Sequence, residues 1–281
     1  MSIKYYSFAG CTVKLISDTP VQDTGLFANF ICDEIAEPSL IINIKHSALP
    51  EKTGKLVFSD NTSSYYVNAE KSFYFTSYPV MDGMKSLACR VIENDEIALY
   101  VVPGQELWDS LIAFAVNYTQ LLFYRGIATM HCSCIEVNGK AVLFAGDKCV
   151  GKSTQADLWN RYRNARIING DRIALKFDEN RITACGIPFC GSSDIALNEK
   201  LDVKAVVFPG KAKKNIICRL NSLDAFKAVL GNLTYNTEDI MQSKTAIDIA
   251  EHMAKEIPAF SLICVPDESS VEILEEQLCQ I

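Results

Sequence analysis

The first 103 residues carry short apolar runs that read as strands. The runs fall at residues 11–16, 40–44, 64–67, 72–75 and 97–102. Turn chemistry separates them, including Ser59-Asp60-Asn61 and Asn94-Asp95. Pro103-Gly104 then breaks this pattern. Leu107, Leu111, Phe114, Ala115, Tyr118 and Leu122 recur at helical spacing, predicting one helix over residues 105–124. Beyond it, apolar runs at 140–145, 174–177, 181–185, 203–208 and 257–265 predict strands, with a turn at 178–180. Residues 222–231 and 241–257 predict helices. The expected organisation is a β-rich region at 1–103 and a second domain at 104–281. No repeat or low-complexity linker separates them.

The change from strand to helix after residue 145 is bridged by Gly146-Asp147-Lys148-Cys149-Val150-Gly151-Lys152-Ser153-Thr154. This reads G-x-x-x-x-G-K-S-T, the phosphate-binding loop (Walker A) pattern. Its glycines let successive backbone N–H groups turn toward phosphate oxygens. Lys152 would reach the β- and γ-phosphates, and the Ser153 hydroxyl would sit on Mg²⁺. The helix expected from Thr154 adds a dipole that favours anions. A strand before and a helix after are the context that this pattern needs.

Asn138-Gly139 lies between two β-prone stretches and predicts a two-residue type I′ hairpin. The strand entering the loop therefore has an antiparallel partner. Counting from the turn pairs Val137 with Lys140, Ile135 with Val142 and Ser133 with Phe144. The next pair on that face sets His131 beside Gly146, at the expected phosphates. One helix and one strand further on, Asn169-Gly170-Asp171 ends a short run with a carboxylate, placed to return to metal and phosphates. Asn-Gly-Asp is also turn chemistry.

Together, His131 before a hairpin, the loop from Gly146 to Thr154 and Asp171 after a short strand resemble the C-terminal domain of HPr kinase/phosphorylase. They are closer still to the shorter HPr-kinase-like proteins, some of which phosphorylate a serine of lasso-peptide precursors. The resemblance spans about residues 125–281, including the 186–191 and 257–265 segments. It implies an α/β fold, with a mixed sheet and the hairpin leading into the phosphate loop. It also implies ATP and Mg²⁺ as cofactors, with Ser153 and Asp171 on the metal. Asp171, His131 and Lys152 would be the catalytic residues. The family usually ends its second strand with two adjacent acids, and here the pair is Gly170-Asp171. Asn169 or Glu136 would have to compensate. No motif of true HPr kinases is evident around Asn198-Glu199-Lys200, so HPr itself is not expected as substrate.

Composition narrows the partners. Net charge is −7, which argues against nucleic acid. A basic cluster at Lys211, Lys213, Lys214 and Arg219 reads as a solvated face. No run reaches the roughly 18 apolar residues of a membrane span, and residues 1–8 lack the apolar region of a signal peptide. The 11 cysteines are then expected reduced, in a cytoplasm. Cys132-Ser133-Cys134 would share a strand face, but no second pair at zinc spacing follows. Residues 186–194 read as a loop that could cover the site. The expected function is an ATP-dependent kinase acting on a hydroxyl, a serine of a peptide or small protein. The alternative is a nucleotide-binding regulator or scaffold with impaired chemistry. Self-association is left open.

Overall fold

The computed structural model describes residues 1–22, 25, 27–80, 83–93, 96–178, 181–189, 191–237 and 239–281. The turn expected at Asn94-Asp95 lies outside them, as do Cys190 and Glu179-Asn180 of the turn at 178–180. The chain is mixed α/β, with two mixed sheets and six α-helices among the described residues. It divides into two compact units, Met1–Tyr118 and Thr119–Ile281.

The first unit is one eight-stranded sheet. Its strands are β1 (Ser2–Phe8), β2 (Cys11–Ser17), β3 (Leu40–His46), β4 (Lys55–Ser59), β5 (Ser63–Val67), β6 (Lys71–Val80), β7 (Gly83–Glu93) and β8 (Glu96–Val101). They lie in the order β1-β2-β3-β8-β7-β6-β5-β4. The pairs β2–β3 and β3–β8 are parallel and the others antiparallel. Alternation decides the faces: Cys11, Val13 and Leu15 of β2 are buried, as are Leu40, Ile42 and Ile44 of β3. Helix α1 (Asp109–Val116) packs on β6 and β7.

The single helix expected over residues 105–124 is not what forms. Asn117 adopts a left-handed conformation with φ 53°, and its N–H caps the carbonyl of Phe114. That ends α1, and α2 (Tyr118–Phe123) starts anew. Of the expected apolar face, Leu107, Ala115, Tyr118 and Leu122 are buried on the two sides of the break, which lets the spacing run through it, while Phe114 is exposed. Periodicity reports burial and cannot see a backbone reversal at one asparagine.

Among the described residues the second unit holds a nine-stranded sheet. β9 (Ala128–Val137) and β10 (Lys140–Ala145) form the expected hairpin. The ladder pairs Val137 with Lys140, Ile135 with Val142 and Ser133 with Phe144, as counted from the turn. Asn138 and Gly139 have φ of 52° and 76°, the positive values a type I′ turn requires. After helix α3 (Lys152–Arg163) come β11 (Ile167–Asn169), β12 (Arg172–Asp178), β13 (Arg181–Gly186), β14 (Lys200–Lys211) and β15 (Ile216–Arg219). Then follow α4 (Ser222–Leu230), β16 (Leu233–Thr234), α5 (Ile240–Glu256), β17 (Ala259–Cys264) and α6 (Glu268–Leu278). β10 also runs parallel to β14, which runs parallel to β17. β9 pairs with β12 through its first half, and β12–β13–β14 close antiparallel.

Alternation along β10 splits the core between two faces. Ala141, Leu143 and Ala145 join the cluster that includes Val229, Ala246, Ile249 and Met253 of α4 and α5. Val142 and Phe144 join the cluster that includes Ala156, Trp159, Val271 and Leu274 of α3 and α6. The loop strand is thus packed on both faces and paired on both edges. The turn at its end is consequently held on a rigid base. Among the described residues no helix is long and apolar enough to cross a membrane.

Candidate functional site

The loop from Gly146 to Gly151 leaves the end of β10 and enters α3 directly. Its backbone needs conformations that side chains disfavour: φ is 141° at Gly146 and 119° at Gly151. Cys149 also lies at positive φ, 66°. Gly151 caps α3 without any side-chain hydrogen bond. The first amides of α3 therefore have no side-chain acceptor at the N-cap, which is the arrangement that favours a bound anion. Asp147, Lys148, Cys149, Ser153 and Thr154 are exposed, and Val150 is half-buried.

Lys152 is folded back on the loop. Its Nζ donates to the carbonyls of Gly146, at 2.8 Å, and Asp147, at 2.9 Å. Only 8% of the residue is exposed. Burial pulls its pKa below the usual lysine value, against the opposing pull of Asp171.

His131 and Asp171 come together. His131 Nε2 lies 3.4 Å from Asp171 Oδ1, a long contact in which the imidazole donates. Arg172 Nε lies 3.9 Å from the other carboxylate oxygen. The hydrogen bond from His131 chiefly holds the Asp171 carboxyl below its ordinary pKa, helped by the charges of Arg172 and Lys152 and opposed by burial. Asp171 is thus an ionised group within the field of Lys152. Its backbone is pinned as well: the carbonyl accepts from Cys132 N at 3.0 Å.

Neither candidate for the missing acid stands in for it. Asn169 is fully buried. Its Oδ1 accepts from the amides of Asp171 and Arg172, at 2.9 and 2.8 Å, and its Nδ2 donates to the Ile187 carbonyl. It shapes the turn that presents Asp171. Glu136 bonds Arg166 at 2.6 Å and pairs across the hairpin with Ala141, at the far end of β10 from the loop. By strand rise that is roughly 13 Å away. Gly170 offers only its backbone, with the carbonyl accepting from Ser133 Oγ at 2.9 Å.

Within the segment expected as a loop at 186–194, Gly191 lies against the carboxylate. A Cβ at Gly191 would come within 3.0 Å of the Asp171 side chain. The two cysteines of Cys132-Ser133-Cys134 are fully buried in the core, and burial pushes their thiols well up, away from the thiolate form. Among the described residues no group of three or more His, Cys, Asp and Glu could hold a metal ion. A Mg²⁺ ion would then need ligands from elsewhere, and phosphates with one or two protein groups are its usual set. Ser153 and Asp171 carry oxygens of the kind such a partial set uses, whereas the loop amides are N–H donors and suit the phosphates, not the metal. A cavity of about 710 Å³ opens near the hairpin tip, but Arg163 and Arg166 on its wall are already paired with Glu275 and Glu136.

Two residues at the site had no signal in the sequence. Arg172 flanks Asp171 through its place opposite His131 in the β9–β12 ladder. Asn232, which follows α4, accepts from Gly146 N through its side chain at 2.8 Å and from His131 N through its carbonyl at 2.9 Å.

No protein-family model matches the sequence, and no curated protein matches it. Among solved structures, the chain is similar to the Hpr(Ser) kinase/phosphatase from Coxiella burnetii. The TM-score is 0.29 and the identity 15%, covering 54% of this chain and 88% of that one. A likeness that slight assigns neither family nor activity, which leaves the site's geometry to carry the function.

Proposed function

We propose that the chain is an ATP-dependent kinase of the HPr-kinase-like kind, transferring a phosphoryl group to a hydroxyl, a serine of a peptide or small protein. The carrying observation is Lys152 folded onto the carbonyls of its own glycine loop, at the uncapped start of α3, beside the His131–Asp171 pair. ATP would be held by the amides from Gly146 to Thr154 and by Lys152. Mg²⁺ would be held by Ser153 and Asp171. ATP supplies the transferable γ-phosphoryl group. The protein's part is to position and to neutralise charge, which is most of what phosphoryl transfer requires. Lys152 brings a cation that is loosely satisfied by carbonyls and free to trade them for an anion. Asp171 brings a fixed carboxylate for the metal or for the acceptor hydroxyl. His131 orients that carboxylate.

The second reading is a nucleotide-binding regulator or scaffold with impaired chemistry. Gly170 favours it, because Asn169 and Glu136 are both engaged elsewhere. Transfer of labelled γ-phosphate to a library of serine peptides separates the two. The kinase reading expects transfer by the wild type and a loss of about 10²- to 10⁴-fold in Asp171→Asn, with nucleotide binding retained. Equal transfer by both would reduce Asp171 to a turn residue. Binding without transfer in either would favour the regulator.

A further inference from the structure

Gly146 is held at both of its backbone polar atoms, on the two peptide groups that flank it. Its carbonyl accepts from Lys152 and its N–H donates to Asn232 Oδ1. These two holds differ in permanence. Lys152 is the group that must leave its carbonyls for an anion to take their place. The Asn232 bond does not compete with an anion for the lysine. The same residue also fixes the other side of the site, since its backbone carbonyl accepts from His131 N. Its Nδ2 is anchored in turn on the Ala228 carbonyl, within the last turn of α4. β16 begins at the next residue and pairs Leu233 with Met130. The path from α4 into β16 therefore ties the first glycine of the loop to the strand that carries His131.

We infer that Asn232 is a positioning residue of this site: it keeps the Gly146 end of the loop in its anion-receiving shape when Lys152 turns away, and it fixes the loop relative to His131. The inference rests on the nucleotide-binding reading above. It assigns no contact between Asn232 and nucleotide. The bland alternative is that Asn232 only finishes α4 through its bond to Ala228. The two differ in which atom of the amide matters. Loop positioning needs the oxygen, whereas helix ending needs the nitrogen.

Asn232→Ala removes both, and Asn232→Asp keeps an acceptor oxygen while losing the donor. Two measurements on the full chain decide. One is amide hydrogen exchange at Gly146, read without nucleotide. The other is calorimetric affinity for ATP·Mg²⁺. In Asn232→Ala, exchange at Gly146 should rise and affinity should fall, each by about five- to tenfold, the usual worth of one net hydrogen bond. In Asn232→Asp, Gly146 should stay as protected as in the wild type. A folded Asn232→Ala protein with wild-type exchange at Gly146, or with wild-type affinity, overturns the inference. If Asn232→Ala does not fold, faster Gly146 exchange in Asn232→Asp overturns it and wild-type protection supports it. Should the wild type itself bind no ATP·Mg²⁺, the proposed function fails, and positioning for nucleotide falls with it. Gly146 exchange would then report only whether Asn232 anchors the loop.

Discussion

Each unit of this chain buries a cation, and the two are buried in opposite ways. Arg90 in the first unit is fully enclosed. Its Nη1 donates to the Val116 carbonyl at the C-terminal end of α1, at 2.7 Å, and its guanidinium lies 5.2 Å from the ring of Tyr74. The negative end of a helix and an aromatic face both favour a cation, so the charge is met inside the unit, although Nε itself makes no hydrogen bond among the described residues. Lys152 in the second unit also donates to carbonyls, but they belong to a glycine loop whose neighbouring residues are exposed. The difference teaches how to read a buried charge. Where the partners are sealed in the core, the charge serves packing. Where they are backbone atoms at the surface, the charge is held ready for something else.

That contrast breaks most visibly on the Arg90 side. Arg90→Ala should lower stability by about 3 kcal/mol, because it opens a cavity and leaves the Val116 carbonyl without its donor. Arg90→Met refills part of the volume and should recover part of the loss. Urea unfolding measures both. A loss under about 0.5 kcal/mol, the range of ordinary surface changes, would mean that the guanidinium is dispensable and the two burials are alike.

The Lys152 side should show the reverse pattern. Lys152→Ala should leave urea stability nearly unchanged, since the freed carbonyls can bond water. It should weaken ATP·Mg²⁺ binding about 10- to 100-fold, the worth of one charged hydrogen bond. Calorimetry with the same samples checks it. Unchanged affinity would sink the phosphate-loop reading. A large stability loss would make Lys152 a structural cation like Arg90.

Legibility in the amino-acid sequence follows the same division between local and distant causes. The hairpin register is legible as far as Cys132 opposite Ala145, because Asn138-Gly139 specifies its own turn and the pairs follow by counting. The next expected pair, His131 with Gly146, does not form, since His131 stands opposite Arg172 and both His131 N and Gly146 N bond Asn232 instead. The loop and Asp171 are legible because their spacing is short and chemically particular. The break at Asn117 is not, because burial continues across it. Asn232 is not, because it meets Gly146 across 86 residues of chain. Nothing near Asn232 in the sequence marks it as different from any helix-ending asparagine. β1, β4 and β7 carry no clear signal either: β4 has no fully buried position, so its sequence lacks the alternation that marks a strand.

The smallest test uses a second parallel, for each unit also holds an Asp–His pair. Asp18 bonds His46 through both carboxylate oxygens, with Oδ1 2.7 Å from Nδ1 and Oδ2 accepting from the backbone N–H at 2.8 Å. The imidazole reaches the Gln105 carbonyl through Nε2 at 3.2 Å. This pair closes on itself, whereas Asp171 and His131 meet at 3.4 Å beside the loop. Burial pushes the Asp18 carboxyl up, but the hydrogen bonds from His46 outweigh it and the net shift is downward. A depressed folded pKa contributes stability that is full above the unfolded value of about 3.9 and is lost as pH falls through the folded one. Asp18 is nearly half exposed, so the contribution is about 0.5 kcal/mol. Asp18→Asn should therefore be slightly less stable than wild type at neutral pH. The gap should close on acidification below about pH 3, and ATP·Mg²⁺ affinity should not move. Urea unfolding across that range reads it. A gap that widens toward acid would show that Asp18 is destabilised by its surroundings, and the self-contained character of this pair would be wrong.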